Sequence, residues 1–331
     1  MNRPKIIFPV SLILGVSLLS YIIRLNLPST SPTQPQVLAV SSEQIQILPT
    51  PTPTAKPLPS IPQIDAKSFV IKKMSSDTII GKDVDTRLPP ASTTKMMTAL
   101  TAVSLYPLDK VITVGKPYQV GVTIGLMENE QITIENLLYG LLLESGNDVA
   151  MAIAGGVDKS DQFISVMNQK VSELGLLNTQ FVNPSGLDHP DHYSSAYDLA
   201  LIGESLLSNS LLSKIVNTKS SVIYDQTRQI THSLSNRNKL LGKDGVIGIK
   251  TGYTDTAGEV LVTAVQRDNH NYIIVVMGSQ DRFHDTQILI NWLDVYLHPD
   301  SQKAQYKLLE STNESKLSPT EPISPTSAPS L

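Results

Sequence analysis

The sequence contains no cysteine, which excludes disulfides, thiolate catalysis and cysteine metal sites while leaving the redox compartment open. Basic residues are not in excess either: 26 lysines and arginines stand against 30 acidic residues, a formal net charge of −4. No basic stripe supplies the electrostatic footprint that nucleic acid requires, and no nucleic-acid partner is expected. Metal chemistry has little to build on. There is no His-Glu-x-x-His, and the dense cluster of metal-capable side chains at Asp188-His189-Pro190-Asp191-His192 is broken by a proline that keeps both histidines off one helix face. That stretch reads as a polar loop ahead of a helix, and neither a metal nor another cofactor is expected. A repeat of fixed period is also missing, so a solenoid is not indicated.

The two ends of the chain are not globular in composition. Residues 1–5 carry Arg3 and Lys5 and precede Ile6 to Ile23, an uncharged segment of 18 residues. As a helix it is about 27 Å long, close to the hydrocarbon thickness of a bilayer. The spacing predicts a cytoplasmic N-terminus, a membrane anchor over 6–23 and a body facing outward. A cleaved signal peptide is the competing reading, which would make the protein secreted; no Ala-x-Ala site follows the segment directly. Residues 24–63 are rich in Pro, Ser and Thr, which predicts an extended, semi-rigid linker. Residues 299–331 read as a disordered polar tail. The folded body is expected over 64–298.

Within it, Ser68 to Lys73 and Thr78 to Lys82 predict a hairpin, followed by an apolar helix opening at Ser92. Helices are predicted over 134–143 with Thr133 as N-cap, over 148–154, around Phe163 to Leu174 and over 195–207. The last third predicts strands over 221–224, 228–233, 246–251, 259–267 and 272–278, with a turn at Asp268-Asn269, then a helix over 283–297. Strands from both chain ends around a helical insertion give an α+β fold: an antiparallel sheet flanked by helices, with an all-helical subdomain beside it. A cleft between the two is where a site belongs.

Three short motifs fall where that cleft needs them. Ser92-Thr93-Thr94-Lys95 follows Pro89-Pro90 and opens the apolar helix, so the Lys95 amine and the Ser92 hydroxyl share one face: a nucleophile beside a base. The helix N-terminus favours negative charge developing at Ser92. Ser145-Gly146-Asn147 breaks two apolar helices, and Lys250-Thr251-Gly252 ends a predicted strand. Each alone has a plain structural reading: Ser92 and Asn147 as helix caps, Lys250 as an edge-strand lysine, Glu144 as a hydrogen-bonded helix-end carboxylate. In this order they are the signature set of serine penicillin-binding proteins and serine β-lactamases.

The stretches Ala91 to Thr98, Leu143 to Asp148 and Gly248 to Thr254, with Asn183-Pro184-Ser185-Gly186-Leu187 and His192 to Leu199, resemble the serine D-alanyl-D-alanine carboxypeptidases, the low-molecular-mass penicillin-binding proteins of the peptidase S11 type. The resemblance runs from about Ala66 to Leu297. It implies a DD-peptidase/β-lactamase-like transpeptidase fold, stem peptides of peptidoglycan ending in D-Ala-D-Ala as substrates, and covalent reaction with β-lactams. By resemblance Ser92 is the nucleophile, Lys95 the general base, Ser145 a proton relay, and Asn147 a ligand of the substrate amide and of Lys95. The backbone N–H groups of Ser92 and Tyr253, the latter just past Gly252, form the oxyanion hole. Lys250 and Thr251 meet the terminal carboxylate, with Arg282 matching the family's carboxylate-binding arginine. The implied location is the outer face of a bacterial cell membrane, the N-terminal segment replacing the C-terminal anchor of the family's longer members. A D,D-endopeptidase, a β-lactamase and a non-catalytic penicillin sensor remain the alternatives.

Overall fold

A computed structural model of the chain describes residues 59–76, 79–155 and 160–301. The segments expected to anchor (6–23), most of the linker (24–63) and nearly all of the tail (299–331) lie outside them. In chain order the strands are β1 (Ser68–Lys73), β2 (Ile79–Lys82), β3 (Val111–Thr113), β4 (Gln131–Thr133), β5 (Ser220–Tyr224), β6 (Thr231–Ser235), β7 (Val246–Thr254), β8 (Gly258–Arg267) and β9 (His270–Ser279). The α-helices are α1 (Lys95–Leu105), α2 (Ile134–Tyr139), α3 (Asn147–Ile153), α4 (Ser160–Glu173), α5 (Ala196–Ser208), α6 (Ser210–Val216) and α7 (Arg282–Leu297). No single one of these helices is long and apolar enough to cross a membrane.

The main sheet has the order β2-β1-β9-β8-β7, and every pairing in it is antiparallel. The period of two along each strand divides its side chains between two cores. Phe69, Ile71, Leu261, Val265, Ile274 and Val276 pack with Leu289, Ile290, Trp292 and Leu293 of α7. Val70, Val260, Val262, Ile273, Val275 and Met277 face the other way, onto α5 and the helical subdomain. The incoming chain is tied to the α7 side, where Trp292 Nε1 donates to the Ser60 carbonyl at 2.7 Å. Asp268 and Asn269 both take positive φ in the β8–β9 turn, as the turn chemistry predicts.

In the subdomain, α1 is buried nearly all round, with Met96, Met97, Ala99 and Ala102 at 0% exposure. Thr133 caps α2 by accepting from Asn136 N, and Ser195 caps α5 by accepting from Asp198 N. Five local features differ from the sequence expectation. The helix expected to open at Ser92 opens instead as a 3₁₀ turn, Ala91–Thr94, because Thr93 returns both its N–H and its hydroxyl to the Pro90 carbonyl. The helix over 134–143 widens into a π turn at Gly140–Glu144 and stops where Ser145 turns left-handed. Strand β6 starts at Thr231 rather than Arg228, since the Asp225 carboxylate accepts from Thr227 N and Ile230 N and closes a longer turn. Helix α6, capped by Asn209, and the β3–β4 hairpin were not expected at all.

A second loop is pinned to the 3₁₀ turn from outside. Gly186 has φ +88°, and a Cβ there would overlap the Ala91 carbonyl oxygen, so only glycine permits this approach. Farther along, His192 is buried with Nε2 2.8 Å from Thr94 Oγ1, while Nδ1 accepts from Val182 N at 3.1 Å. Burial, reinforced by the neighbouring His189, pushes its pKa from 6.5 down to about 4. The unfolded chain therefore takes up a proton near the ordinary value while the folded chain does not. Stability attributable to His192 is complete above about pH 6.5 and declines as pH falls toward the folded value, by about 3 kcal/mol in all. Urea unfolding at about pH 7 and about pH 4.5 is expected to show a larger acid loss for the wild type than for His192→Gln. Equal losses would remove His192 as the cause.

Candidate active site

The site forms where the 3₁₀ turn, the π-turn break and β7 converge. With three residues per turn, side chains at i and i+3 of a 3₁₀ turn eclipse, which stacks Lys95 over Ser92 more directly than an α-helix does. Lys95 Nζ lies 2.9 Å from Ser92 Oγ, 2.7 Å from Asn147 Oδ1 and 2.6 Å from the Ser185 carbonyl oxygen. Burial and the nearby Lys250 push the Lys95 pKa well below the usual lysine range, Asp148 opposing them and Arg237 adding to them. A neutral amine has two N–H donors and one lone pair. Asn147 and Ser185 can only accept at those atoms, so they take the two N–H groups and the lone pair is left facing the Ser92 hydroxyl.

Asn147 is itself fixed. Its Nδ2 donates to the Val120 carbonyl at 2.9 Å and its backbone N–H to the Val122 carbonyl at 2.7 Å. That loop hangs on the buried Asp148 carboxylate, which accepts from Ile124 N at 3.1 Å, Gly125 N at 3.0 Å and Leu126 N at 3.1 Å. The first residue of the Ser145-Gly146-Asn147 triplet points a buried Oγ that has no hydrogen-bond partner among the described residues.

Strand β7 forms the opposite wall. It continues past the expected end at Thr251 to Thr254, so Lys250-Thr251-Gly252 lies within the strand rather than at its end. A Cβ at Gly252 would sit 3.0 Å from Ser92 N, so glycine lets the strand backbone press against the turn and brings the Tyr253 peptide alongside Ser92. Lys250 is buried and donates to the Thr251 carbonyl at 3.1 Å. Burial, Arg237 and Arg282 bring its pKa down to about 7, with Glu144 opposing. Arg282 Nη1 donates to the Gly252 carbonyl at 2.6 Å, placing its guanidinium behind the same strand.

Lys95 thus joins Ser92 and Asn147, Lys250 lies near enough to lower its pKa, Arg282 reaches the Gly252 carbonyl and Ser145 contacts none of them by hydrogen bond; three contributors were missed. Ser185 acts through its main-chain carbonyl, which leaves no side-chain signal; the Asn183-Pro184-Ser185-Gly186-Leu187 stretch carried the family resemblance but gave Ser185 no role. Arg237 Nε donates to the Glu144 carbonyl and Nη2 to its carboxylate, both at 2.8 Å, so Glu144 is the hydrogen-bonded helix-end carboxylate the sequence suggested. The Val120–Leu126 loop carried no motif. Of the metal-capable cluster, Asp188 accepts from the Thr254 hydroxyl at 2.7 Å, His189 lies beside Asp191, and His192 faces Thr94.

The family description for peptidase S11, D-alanyl-D-alanine carboxypeptidase, matches residues 54–281. D-alanyl-D-alanine carboxypeptidase DacF of Bacillus subtilis is 36% identical over 225 residues, covering 65% of this chain and 58% of that protein. DacA of Escherichia coli is 33% identical over 261 residues, 71% of this chain and 62% of its own length. The chain thus spans about three fifths of the length of these curated relatives. Among solved structures, the Streptomyces K15 DD-transpeptidase is 28% identical with a TM-score of 0.63, over 77% of this chain and 99% of that one. The fold is the DD-peptidase fold, and the extent of these matches makes this chain a member of the peptidase S11 family, the D-alanyl-D-alanine carboxypeptidases.

Proposed function

We propose that the protein is a serine D-Ala-D-Ala carboxypeptidase that removes the terminal D-alanine from peptidoglycan stem peptides. The observation that carries this reading is the buried Lys95 amine held between Asn147 and Ser185 with its lone pair toward Ser92. In the proposed reaction the Ser92 oxygen attacks the carbonyl of the penultimate D-alanine while Lys95 takes the hydroxyl proton. The oxyanion is met by the N–H groups of Ser92 and Tyr253. The C–N bond then breaks, the leaving amine receives a proton relayed through Ser145, and D-alanine departs from an ester on Ser92. Water attacks that ester, Lys95 again takes the proton, and the shortened peptide leaves. Lys250, Thr251 and Arg282 hold the terminal carboxylate, and Asn147 holds the substrate amide.

A β-lactam enters the same cycle and stops at the ester. Intact-mass analysis after exposure to penicillin is expected to show one adduct on the wild type and none on Ser92→Ala. D-alanine release from a pentapeptide is expected to drop roughly a thousandfold or more in that variant. A wild type that takes no adduct would overturn the mechanism; one that cleaves only cross-linked dimers would make it an endopeptidase.

The charges give the pH dependence its sign. Lys95 must be neutral, so acylation has an acid limb, and neighbouring positive charge moves that limb to lower pH. Arg237→Gln removes one such charge and is expected to shift the acid limb of penicillin acylation to higher pH; an unmoved limb would contradict the coupling. In the same frame residues 6–23 anchor the enzyme in the bacterial cell membrane with 64–298 outside, joined by the 24–63 linker. Sequencing the mature N-terminus checks this: a start ahead of Ile6 fits the anchor, and a start beyond Ile23 means cleavage and secretion.

A further inference from the structure

The ring of His232, on β6, is buried between two acceptors that the proposed reaction does not use. One ring nitrogen, Nε2, lies 2.8 Å from Glu130 Oε1, and the other, Nδ1, lies 3.2 Å from the Ile124 carbonyl oxygen. A carbonyl oxygen can only accept, which assigns a proton to Nδ1; the Nε2 contact holds one proton between the ring and the carboxyl group. Glu130 is fixed in turn, because its Oε2 accepts from Met127 N at 2.9 Å and its carbonyl accepts from Val114 N at 2.8 Å. Turning the ring would leave a buried polar atom unpaired.

Ile124 belongs to the loop that holds Asn147. Its N–H is taken by the Asp148 carboxylate at 3.1 Å and its carbonyl by His232, so the residue is held at both main-chain atoms. Two and four residues earlier, the Val122 and Val120 carbonyls accept from Asn147 N and Nδ2 at 2.7 and 2.9 Å. The Asp148 bonds come from α3, the helix that also carries Asn147, and so join the loop to that helix. His232 joins the pair to β6. Five residues farther along the same segment, Arg237 N donates to the Leu143 carbonyl at 3.3 Å and its guanidinium grips Glu144, just ahead of Ser145. One stretch of chain therefore holds the Ser145-Gly146-Asn147 break twice: the π turn before it through Arg237, and the loop bonded to Asn147 through His232.

We propose that His232 is a positioning residue for acyl transfer, fixing through the Ile124 carbonyl the loop that aims the Asn147 side chain at Lys95. Its effect on rate rests on the reading of Ser92 and Lys95 given above; its effect on Asn147 can be read without it. When the tie is lost, the Val120 and Val122 carbonyls shift, Asn147 Oδ1 leaves its 2.7 Å contact with Lys95 Nζ, and the amine lone pair is no longer turned toward Ser92.

Substitution separates the two arms of the ring. His232→Asn puts an amide N–H near the place of Nδ1 and gives up the Glu130 contact, whereas His232→Gln reaches toward Glu130 and gives up Ile124. Penicillin acylation of the full-length protein is expected to slow roughly tenfold to a hundredfold in His232→Gln, the scale of a misplacement on the order of 1 Å, and to stay nearer the wild-type rate in His232→Asn. The Asn147 side-chain amide signal, identified by its loss in Asn147→Asp, is expected to shift in His232→Gln and to hold its place in His232→Asn. Urea unfolding of both variants distinguishes this from plain stabilisation, since a role confined to stability makes the rates follow the unfolding midpoints. Equal rates in the two variants, the reverse order, or an Asn147 signal indifferent to His232→Gln would overturn the positioning role. So would an unprotonated Nδ1 in the ¹⁵N spectrum of the wild-type His232 ring, a reading that needs neither variant to fold. A wild type that takes no penicillin adduct would sink the acyl-transfer reading, while a shifted Asn147 signal in His232→Gln would still support the tie.

Discussion

Everything around the cleft depends on keeping one lysine amine buried, uncharged and aimed. An ammonium at Lys95 would present three donors to three oxygens and leave no lone pair for the serine proton. Desolvation disfavours that charged form, and the positive field of Lys250 and Arg237 disfavours it further. Asp148 works against this, yet its carboxylate is engaged by the backbone N–H groups of the neighbouring loop. The same residue that opposes the neutral amine also builds the loop that orients Asn147.

The fold reads as the means of delivering that arrangement. A 3₁₀ turn stacks Ser92 and Lys95, a π turn ending in left-handed Ser145 presents the second triplet, and β7 carries the third to within reach because residue 252 has no side chain. The loop through Gly186 closes the floor. The 3₁₀ and π turns interrupt otherwise regular helices, and the packed core behind them holds the left-handed backbone at Ala91 and Ser145 in place. His232 adds a tie from β6, with one ring nitrogen 3.2 Å from the Ile124 carbonyl and the other 2.8 Å from Glu130.

Most of the architecture was legible in the sequence because period-two strands and capped helices dominate it. The antiparallel sheet, the capping by Thr133 and the Asp268-Asn269 turn follow from local chemistry. Ser92, Lys95, Asn147 and Lys250 were singled out through spacing and order, and Lys95 lies within hydrogen-bond distance of Ser92 and Asn147. What escaped was main-chain or long-range in origin. The Ser185 carbonyl has no side-chain signature, the Val120–Leu126 loop is shaped by a carboxylate more than 20 residues away in sequence, and Arg237 depends on Glu144 for its position. The β6 shift arose from a single aspartate closing a wider turn than propensity alone suggests.

The central claim is that the fold holds Lys95 as a neutral amine far below the ordinary lysine range. Titrating the lysine side chains by NMR in isotope-labelled protein, with the Lys95 signal identified by its loss in Lys95→Gln, measures this directly. The account predicts a Lys95 midpoint far below that of the surface lysines. A Lys95 signal that titrates with the surface lysines would contradict it.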